Sequence, residues 1–270
     1  MLNINSEQPL KNKIIVLTRS PEQARQSSAI FEKLGAKVLL FPTIKIIPPK
    51  SWEEFDKSVK RLREFDYIIF TSPNAVKMFC RRCQEISVEA DFHLIKVVAV
   101  GKKTESLCGE NNIPVHITPY KFTSKGIIKK LKEIDFGGKR FFIPKSAIAR
   151  NELKLGIEKV GGIVHAADVY DVAIFEKEEI KENIEELSKH KPDVYIFTSP
   201  STFENFSKIL GLTKPAEYFL DSHIAAIGPT TKSAIEKRDV VVDIMPEEYS
   251  MDAMAKSLVN FYQTKLLKKK

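Results

Sequence analysis

Asp66-Tyr-Ile-Ile-Phe-Thr-Ser-Pro73 recurs 127 residues later in the chain as Asp193-Val-Tyr-Ile-Phe-Thr-Ser-Pro200. The segment Val97–Gly101 is matched by Ile224–Gly228 at the same offset. Separate matches in one register indicate that two halves of the chain share a single structural plan. We therefore predict an internal repeat.

Each half, roughly residues 13–131 and 139–258, follows the order strand, helix, strand, helix, strand, helix. Its apolar runs are short and lack polar alternation, which is typical of buried parallel strands. In the first half these runs are Ile14–Leu17, Tyr67–Phe70 and Val97–Val100. Helical patterns follow them at Glu22–Leu34, Ala75–Arg82 and Lys103–Glu110. Gly35 and Gly161 are typical helix stops, and Ser124 and Ser250 typical helix caps.

Two extended stretches interrupt the alternation of strands and helices. Phe41–Pro49 carries three prolines and Asp168–Phe175 is apolar with acidic positions, and neither leads directly into a helix. We predict an α/β fold with two lobes of parallel sheet flanked by helices and joined by a two-stranded linker. One domain combines residues 1–41 with 176–270, the other spans 49–167, and the linkers are 42–48 and 168–175.

Charge and composition exclude few partners. Four of the positive charges in the net +8 lie in the tail Lys265–Lys270, which is typical of a solvated chain end. No nucleic-acid recognition motif accompanies them, and no apolar run is long enough for a membrane span or a signal peptide. We expect a cytoplasmic, monomeric protein that binds neither nucleic acid nor membrane. The remaining positive excess suits a small polyanionic substrate.

Four short polar loops each lead from a strand straight into a helix. In parallel α/β sheets, ligands bind beyond the carboxyl ends of the strands, and helix N-termini there attract carboxylates or phosphates. Any one such loop is more often an ordinary helix cap, but four in register favour a site for several anionic groups. The loops are Thr71-Ser72-Pro73-Asn74, Gly101-Lys102-Lys103-Thr104, Thr198-Ser199-Pro200-Ser201 and Gly228-Pro229-Thr230-Thr231.

Common catalytic and metal-binding motifs are missing from the sequence. The five histidines have no HxxxH or HxH spacing, and Cys80 and Cys83 form a CxxC without a complementary pair, so we predict no metal site. No GxSxG, Walker or GxGxxG motif is present. This excludes the usual hydrolases, nucleotide triphosphatases and dinucleotide enzymes.

Several motifs together resemble the uroporphyrinogen-III synthase family over residues 13–258. They are Phe70–Val76, Ala99–Thr104, Val169-Tyr170, Phe197–Ser201 and Ala225–Thr231. The resemblance implies a lyase that cyclises hydroxymethylbilane, a linear tetrapyrrole with acetate and propionate arms, while inverting its terminal pyrrole. It implies no cofactor, since this substrate is reactive and cyclises unaided to the other isomer. The family's fold is two α/β lobes joined by a two-stranded linker.

The resemblance also implies roles for individual residues. Tyr170 is the candidate catalytic proton donor, although an amphipathic residue at a lobe boundary would look the same. His223 stands where many members have a basic residue, and a mostly neutral imidazole would bind a carboxylate less well. Arg150 resembles a family arginine but is equally explained by a salt bridge. The expected substrate-binding residues are Arg19, Thr71, Ser72, Asn74, Gly101, Lys102, Thr104, Ser199, Ser201, Gly228, Thr230 and Thr231.

Two alternatives to a synthase remain open from the sequence. One is a non-catalytic tetrapyrrole-binding protein of the same fold, acting as a carrier or sensor, and the other is a small-acid-binding module. Retention of Tyr170 and of both Thr-Ser-Pro loops favours the synthase. The expected partner is the small-molecule substrate hydroxymethylbilane, and a transient contact with the preceding pathway enzyme also stays open.

Overall fold

The computed structural model describes residues 8–119, 127 and 137–268. The chain divides into unit 1, which consists of Met1–Lys45 with Ala173–Lys270, and unit 2, which consists of Ile46–Val172. Unit 1 is therefore built from two distant segments, whereas unit 2 is continuous. The predicted helix cap at Ser124 lies outside the described residues.

Strands and helices alternate along the described chain. Short 3-10 turns occupy Leu62–Glu64 and Lys177–Ile180. The strands are β1 (Ile14–Leu17), β2 (Lys37–Leu40), β3 (Ile44–Ile47), β4 (Tyr67–Phe70), β5 (Lys96–Ala99), β6 (Arg140–Ser146), β7 (Ile163–Ile174), β8 (Val194–Phe197) and β9 (His223–Ala226). The helices are α1 (Pro21–Glu32), α2 (Glu53–Lys60), α3 (Pro73–Glu85), α4 (Lys102–Glu110), α5 (Glu152–Glu158), α6 (Lys181–Ser188), α7 (Pro200–Leu210), α8 (Pro215–Tyr218), α9 (Pro229–Glu236) and α10 (Met251–Lys268).

Two sheets organise these elements. The four-stranded sheet has the order β2-β1-β8-β9, and its neighbours pair in parallel. The five-stranded sheet has the order β3-β7-β6-β4-β5, with parallel pairing from β7 through β6 and β4 to β5. The predicted α/β class with two helix-flanked, mainly parallel sheets is confirmed. β3 and β7, in which the chain passes from one unit to the other, are neighbours.

Segments that match at an offset of 127 residues form matching elements. β4 corresponds to β8, β5 to β9, and the start of α3 to the start of α7. Gly35 and Gly161 follow helices in the same way, each with a backbone φ of 91°, where glycine is favoured. These correspondences agree with the repeat plan, while the repeat itself stays a prediction.

Both faces of each sheet are buried, which explains why the strands are continuous apolar runs. In β8, Val194 and Ile196 pack into one cluster with residues of α1 and α10. Tyr195 and Phe197 face the other side and pack with residues of α7 and α9. The four side chains are at most 3% exposed, so no position in this strand is left for a polar residue.

At the amino end of each sheet, an aspartate accepts hydrogen bonds from the start of a neighbouring strand. In unit 2, Asp66 accepts hydrogen bonds from the Arg140 N–H at 2.8 Å and from Lys139 Nζ at 3.0 Å. In unit 1, Asp193 accepts from the Ile14 N–H at 2.9 Å and from Lys13 Nζ at 2.6 Å. Burial raises the pKa of Asp66, but these hydrogen bonds outweigh it and hold the pKa below its ordinary value. The same contact thus sets strand register in both units.

Gly162 tests how closely the core of unit 2 is packed. A Cβ at Gly162 would lie 2.5 Å from Ile157 Cγ2 and 2.9 Å from Phe141 Cε2. Both neighbours are fully buried. We predict that Gly162→Ala lowers the free energy of unfolding by about 1–3 kcal/mol, since the core cannot accept the added volume. Urea denaturation measures the change.

Gly109, in α4, provides the matched control. A Cβ there would meet nothing within 4 Å. Gly109→Ala should therefore raise the free energy of unfolding by about 0.5–1 kcal/mol, because alanine loses less backbone entropy in a helix. Equal effects of the two substitutions would contradict the proposed steric conflict at Gly162.

Candidate functional site

In unit 1, three helices begin at the edge where parallel strands end. β1, β8 and β9 are followed by α1, α7 and α9, and each helix has a proline in its first turn. Helix N-termini present N–H groups without intrahelical acceptors and the positive end of the helix dipole. The predicted binding residues at this edge are Arg19, Ser199, Ser201, Gly228, Thr230 and Thr231.

Ser199 caps α7 through a reciprocal hydrogen-bond pair. Its Oγ accepts from the Thr202 N–H at 3.2 Å, and the Thr202 hydroxyl accepts from the Ser199 N–H at the same distance. The hydroxyls of Ser199 and Ser201 are 2.9 Å apart, and Ser201 is exposed. The Ser199 side chain therefore has a structural role, and Ser201 is the hydroxyl that solvent reaches.

At the start of α9 the two predicted threonines differ in accessibility. Thr231 is only 3% exposed, whereas Thr230 lies on the surface. Gly228 is buried, and a Cβ at this position would lie 3.2 Å from the ring of Tyr249. Tyr249 is 67% exposed. Sequence reasoning missed this aromatic ring, because Tyr249 lies in a loop outside every recognised motif.

Arg19 is a half-buried cation without an acidic partner among the described residues. Its Nη1 donates to Ser27 Oγ at 2.9 Å, and no residue that the structure describes accepts a hydrogen bond from its buried Nε. Burial lowers the pKa of Arg19 from its ordinary value. An arginine that carries a desolvation cost without a carboxylate is favourably placed to accept an anionic ligand.

His223 lies away from these helix starts. It is the first residue of β9, whereas Gly228 lies beyond the carboxyl end of this strand, so the two are separated by the length of the strand. Its Nδ1 is 3.2 Å from Asp243 Oδ1, and its ring packs edge-on against Phe261. The structure therefore gives His223 a packing environment at the amino edge of the sheet rather than a place among the loops that follow the strands.

Unit 2 repeats the arrangement of helix starts. β4 and β5 pair in parallel and lead into α3 and α4. Gly101 caps α4 with a φ of 96°, a left-handed conformation that favours glycine. The Thr104 hydroxyl donates to the Val100 carbonyl at 2.9 Å and its residue is 1% exposed, while Lys102 is exposed. The predicted residues at this edge are Thr71, Ser72, Asn74, Gly101, Lys102 and Thr104.

A β-bulge orients Tyr170 at the same edge. In the pairing of β6 with β7, Lys145 faces Asp168 but Ser146 faces Tyr170, so one residue of β7 is extra. As a result Val169 and Tyr170 both pack into the cluster that covers α3, although adjacent strand residues normally face opposite sides. The Tyr170 hydroxyl lies 3.1 Å from Ser72 Oγ.

β6 and β7 carry a charged pair that sequence reasoning did not assign to the site. Lys145 Nζ donates to Asp168 Oδ1 at 2.6 Å, and the lysine side chain is 17% exposed. The pairing depends on two strands being neighbours, for which the sequence carries no local signal. Arg150 is almost fully exposed, and its Nη1 lies 3.6 Å from Glu152 Oε1.

Three features of the described residues concern metal sites, reactive thiols and membrane-spanning helices. Within residues 8–119, 127 and 137–268, no group of three His, Cys, Asp or Glu side chains could hold a metal ion. Burial raises the pKa of Cys83 and of Cys108 to about 12, so both thiols are protonated at neutral pH. In the same part of the chain, no helix combines the length and apolar composition needed to cross a membrane.

A family model described as uroporphyrinogen-III synthase HemD matches residues 25–256. The uroporphyrinogen-III synthase of Chlorobaculum parvum is 28% identical over 248 residues, which cover 91% of this chain and 98% of that protein. The enzyme of the same name from Synechococcus elongatus is 24% identical over 254 residues, with 92% and 95% covered. The matched segment contains every candidate residue except Arg19.

Solved structures show the same fold. A mutant uroporphyrinogen III synthase from the extremely thermophilic bacterium Thermus thermophilus aligns with a TM-score of 0.59 at 17% identity and covers 94% of this chain and 99% of its own. Uroporphyrinogen-III synthetase from Helicobacter pylori aligns with a TM-score of 0.58 at 16% identity, with 92% and 99% covered. At these identities the likeness concerns the fold alone.

A substitution of Arg19 tests whether this side chain serves ligand binding or the stability of the fold. Replacing it by Met keeps the length of the side chain and removes the desolvated charge. We predict that Arg19→Met raises the free energy of unfolding by about 1 kcal/mol, because a buried donor without a partner disappears. The stabilisation that a polycarboxylate probe such as citrate gives the wild-type protein should decrease. Urea denaturation with and without citrate measures both effects.

Arg25 is the control for charge alone, since it lies exposed on α1. Arg25→Met should change neither the stability nor the response to citrate. A loss of stability in Arg19→Met would show that the guanidinium has a structural role and would count against an anion-binding role.

Proposed function

This chain belongs to the uroporphyrinogen-III synthase family, and we therefore propose that it catalyses the synthase reaction itself. The family places it in tetrapyrrole synthesis, with a small tetrapyrrole as substrate. In our proposal the substrate is hydroxymethylbilane, and the enzyme closes it into a ring, inverts the terminal pyrrole and releases water. The observation that carries the proposal is the family match, which extends over most of the chain and includes the Tyr170 motif.

The helix starts support the choice of a polycarboxylate substrate. Each pyrrole of hydroxymethylbilane carries carboxylate arms, and unpaired N–H groups at helix N-termini bind carboxylates. We propose that the starts of α3 and α4 in unit 2 and of α7 and α9 in unit 1 bind these arms. Exposed residues at those starts, Lys102, Ser201 and Thr230, add side-chain contacts, and Arg19 adds a cation. Holding one conformation of a flexible substrate is catalysis by positioning.

Tyr170 is the proposed proton donor. Its phenolic proton passes to the hydroxyl oxygen of the substrate's hydroxymethyl group, the carbon–oxygen bond breaks, and water leaves. The electron pair for this step comes from the pyrrole, which becomes a protonated azafulvene. A tyrosine hydroxyl carries one O–H donor, which is the proton that the proposed step transfers.

Ring closure then follows from the reactivity of the intermediate. The substituted carbon of the far pyrrole attacks the azafulvene and gives a spiro intermediate, which fragments and recloses with that ring inverted. The proton lost when the last ring regains aromaticity returns to the phenolate. The net change is loss of water without oxidation or reduction, so the reaction balances without a cofactor and belongs to the lyases.

The distribution of product isomers tests the proposed function. We predict that the purified protein, mixed with freshly generated hydroxymethylbilane, gives an excess of isomer III after oxidation to the porphyrin. Chromatographic separation of the isomers is the measurement, and a reaction without protein supplies the isomer I baseline. Isomer I alone at every protein concentration would instead favour a non-catalytic tetrapyrrole- or small-acid-binding protein.

Substitution of Tyr170 tests the proton donor. We predict that Tyr170→Phe slows ring closure by about 10²-fold at most, the low end for general acid catalysis, since the electron-rich pyrrole already expels the hydroxyl. Product affinity should hardly change, and the turnover that remains should still give isomer III. Initial rates and equilibrium binding of the product measure the two quantities.

Tyr67→Phe is the matched control. Tyr67 lies on the opposite face of the same sheet and packs with Phe141. Removal of the Tyr67 hydroxyl should leave turnover unchanged. A wild-type rate in Tyr170→Phe would exclude Tyr170 as the acid and leave bound water or the substrate's carboxylates as donors.

A further inference from the structure

The Ser72 hydroxyl uses only part of its hydrogen-bonding capacity to cap α3. The residue caps α3 from an extended backbone, with φ −158° and ψ 157°, and its Oγ accepts a hydrogen bond from the Ala75 N–H at 3.1 Å. A serine hydroxyl has one proton and two lone pairs. One lone pair is therefore occupied, and the proton and the second lone pair remain for another partner.

That partner is Tyr170, whose hydroxyl lies 3.1 Å from Ser72 Oγ. Either oxygen can donate when both are protonated. A phenolate, however, can only accept, so the serine has to be the donor once Tyr170 has lost its proton. In that arrangement the phenol proton points away from Ser72 and is free for another acceptor. Hydrogen bonds to an ionised oxygen are shorter and stronger than those between neutral groups.

The helix start adds to this preference. α3 runs from Pro73 to Glu85, and its positive dipole end lies at the residue that contacts Tyr170. The Ala75 N–H polarises the Ser72 hydroxyl, which in turn polarises the phenol oxygen, so the two hydrogen bonds reinforce each other. Both features favour Ser72 as the donor in its hydrogen bond with the Tyr170 oxygen.

We propose that Ser72 is a positioning residue that donates its proton to the Tyr170 oxygen, directs the phenol proton to the substrate and stabilises the phenolate left behind. This inference rests on the proposed function. It differs from the substrate contact that the sequence analysis expects for Ser72. The proton transferred from Tyr170 leaves with the substrate hydroxyl as water, and the phenolate recovers a proton when the product ring regains aromaticity.

Ser199 shows that a capping serine does not by itself produce a hydrogen bond to a tyrosine. It occupies the matching position before α7 and caps that helix in the same way, with its Oγ accepting from the Thr202 N–H. Its second contact is the hydroxyl of Ser201 rather than a tyrosine. The link between cap and phenol is therefore a property of Ser72, where the β-bulge turns Tyr170 towards α3.

Four substitutions at Ser72 separate the cap from the hydrogen bond. Ser72→Ala removes both, and we expect kcat to fall about 10-fold with KM within twofold of wild type, because the lost contact acts on the acid rather than on binding. Ser72→Thr keeps the hydroxyl and should restore most of kcat. Ser72→Asp still caps the helix but has no proton to donate, so kcat should stay low. Ser72→Gly, which caps better than Ala, replaces Ser72→Ala if that variant does not fold.

The double variant Ser72→Ala/Tyr170→Phe is the decisive measurement. If Ser72 acts through Tyr170, the double variant turns over as fast as Tyr170→Phe alone. If Ser72→Ala slows the reaction equally in both backgrounds, or raises KM instead of lowering kcat, the inference is overturned. Ser250→Ala removes the cap of α10 and serves as control. It should lower the melting temperature as Ser72→Ala does and leave turnover unchanged.

The wild-type isomer assay distinguishes the two proposals. A wild-type protein that gives no isomer III overturns the proposed function and this inference with it. Isomer III from the wild-type protein, combined with independent effects of the Ser72 and Tyr170 substitutions, overturns the inference alone.

Discussion

Parallel strand pairing with both sheet faces covered is the constraint on which the rest of this molecule depends. It requires continuous apolar strands and a helix between successive strands, and it collects the ends of neighbouring strands at one edge. Every helix that follows such a strand then begins at that edge and presents its unpaired N–H groups there. The anion-binding potential of α3 and α4 in unit 2, and of α7 and α9 in unit 1, is therefore a consequence of the fold before any side chain is considered.

The side chains at these helix starts differ between the two units. In unit 1, the hydroxyl of the serine before α7 contacts that of Ser201. The cation Arg19 follows β1, and its buried Nε meets no acceptor within the described part of the chain. In unit 2, the serine before α3 contacts a phenol instead. Two helix starts with the same backbone geometry thus differ in what their serines contact: the hydroxyl of Ser201 in one and the phenol of Tyr170 in the other.

Much of the architecture could be predicted because it depends on local patterns. β1 and β4 occupy the predicted residues, and α3 begins two residues earlier than predicted because Pro73 is accepted in its first turn. The site was less accessible to prediction. Tyr170 and Ser72 were both identified from the sequence as candidate site residues. Their contact, however, joins positions 98 residues apart and depends on a β-bulge that no local sequence pattern predicts. The inward orientation of Thr104 and Thr231 depends likewise on packing, which sequence motifs do not encode.

The discontinuity of unit 1 has a consequence for the order of events during synthesis. All strands of unit 2 are available once Val172 has been added, and its aspartate contact joins residues 66 and 140. In unit 1, β1 pairs with β8, and the Asp193 contact with Ile14 spans 179 residues. During synthesis, β1 and β2 therefore remain without β8 while unit 2 can already fold. The apolar face beside α1 stays uncovered until the last third of the chain has been made.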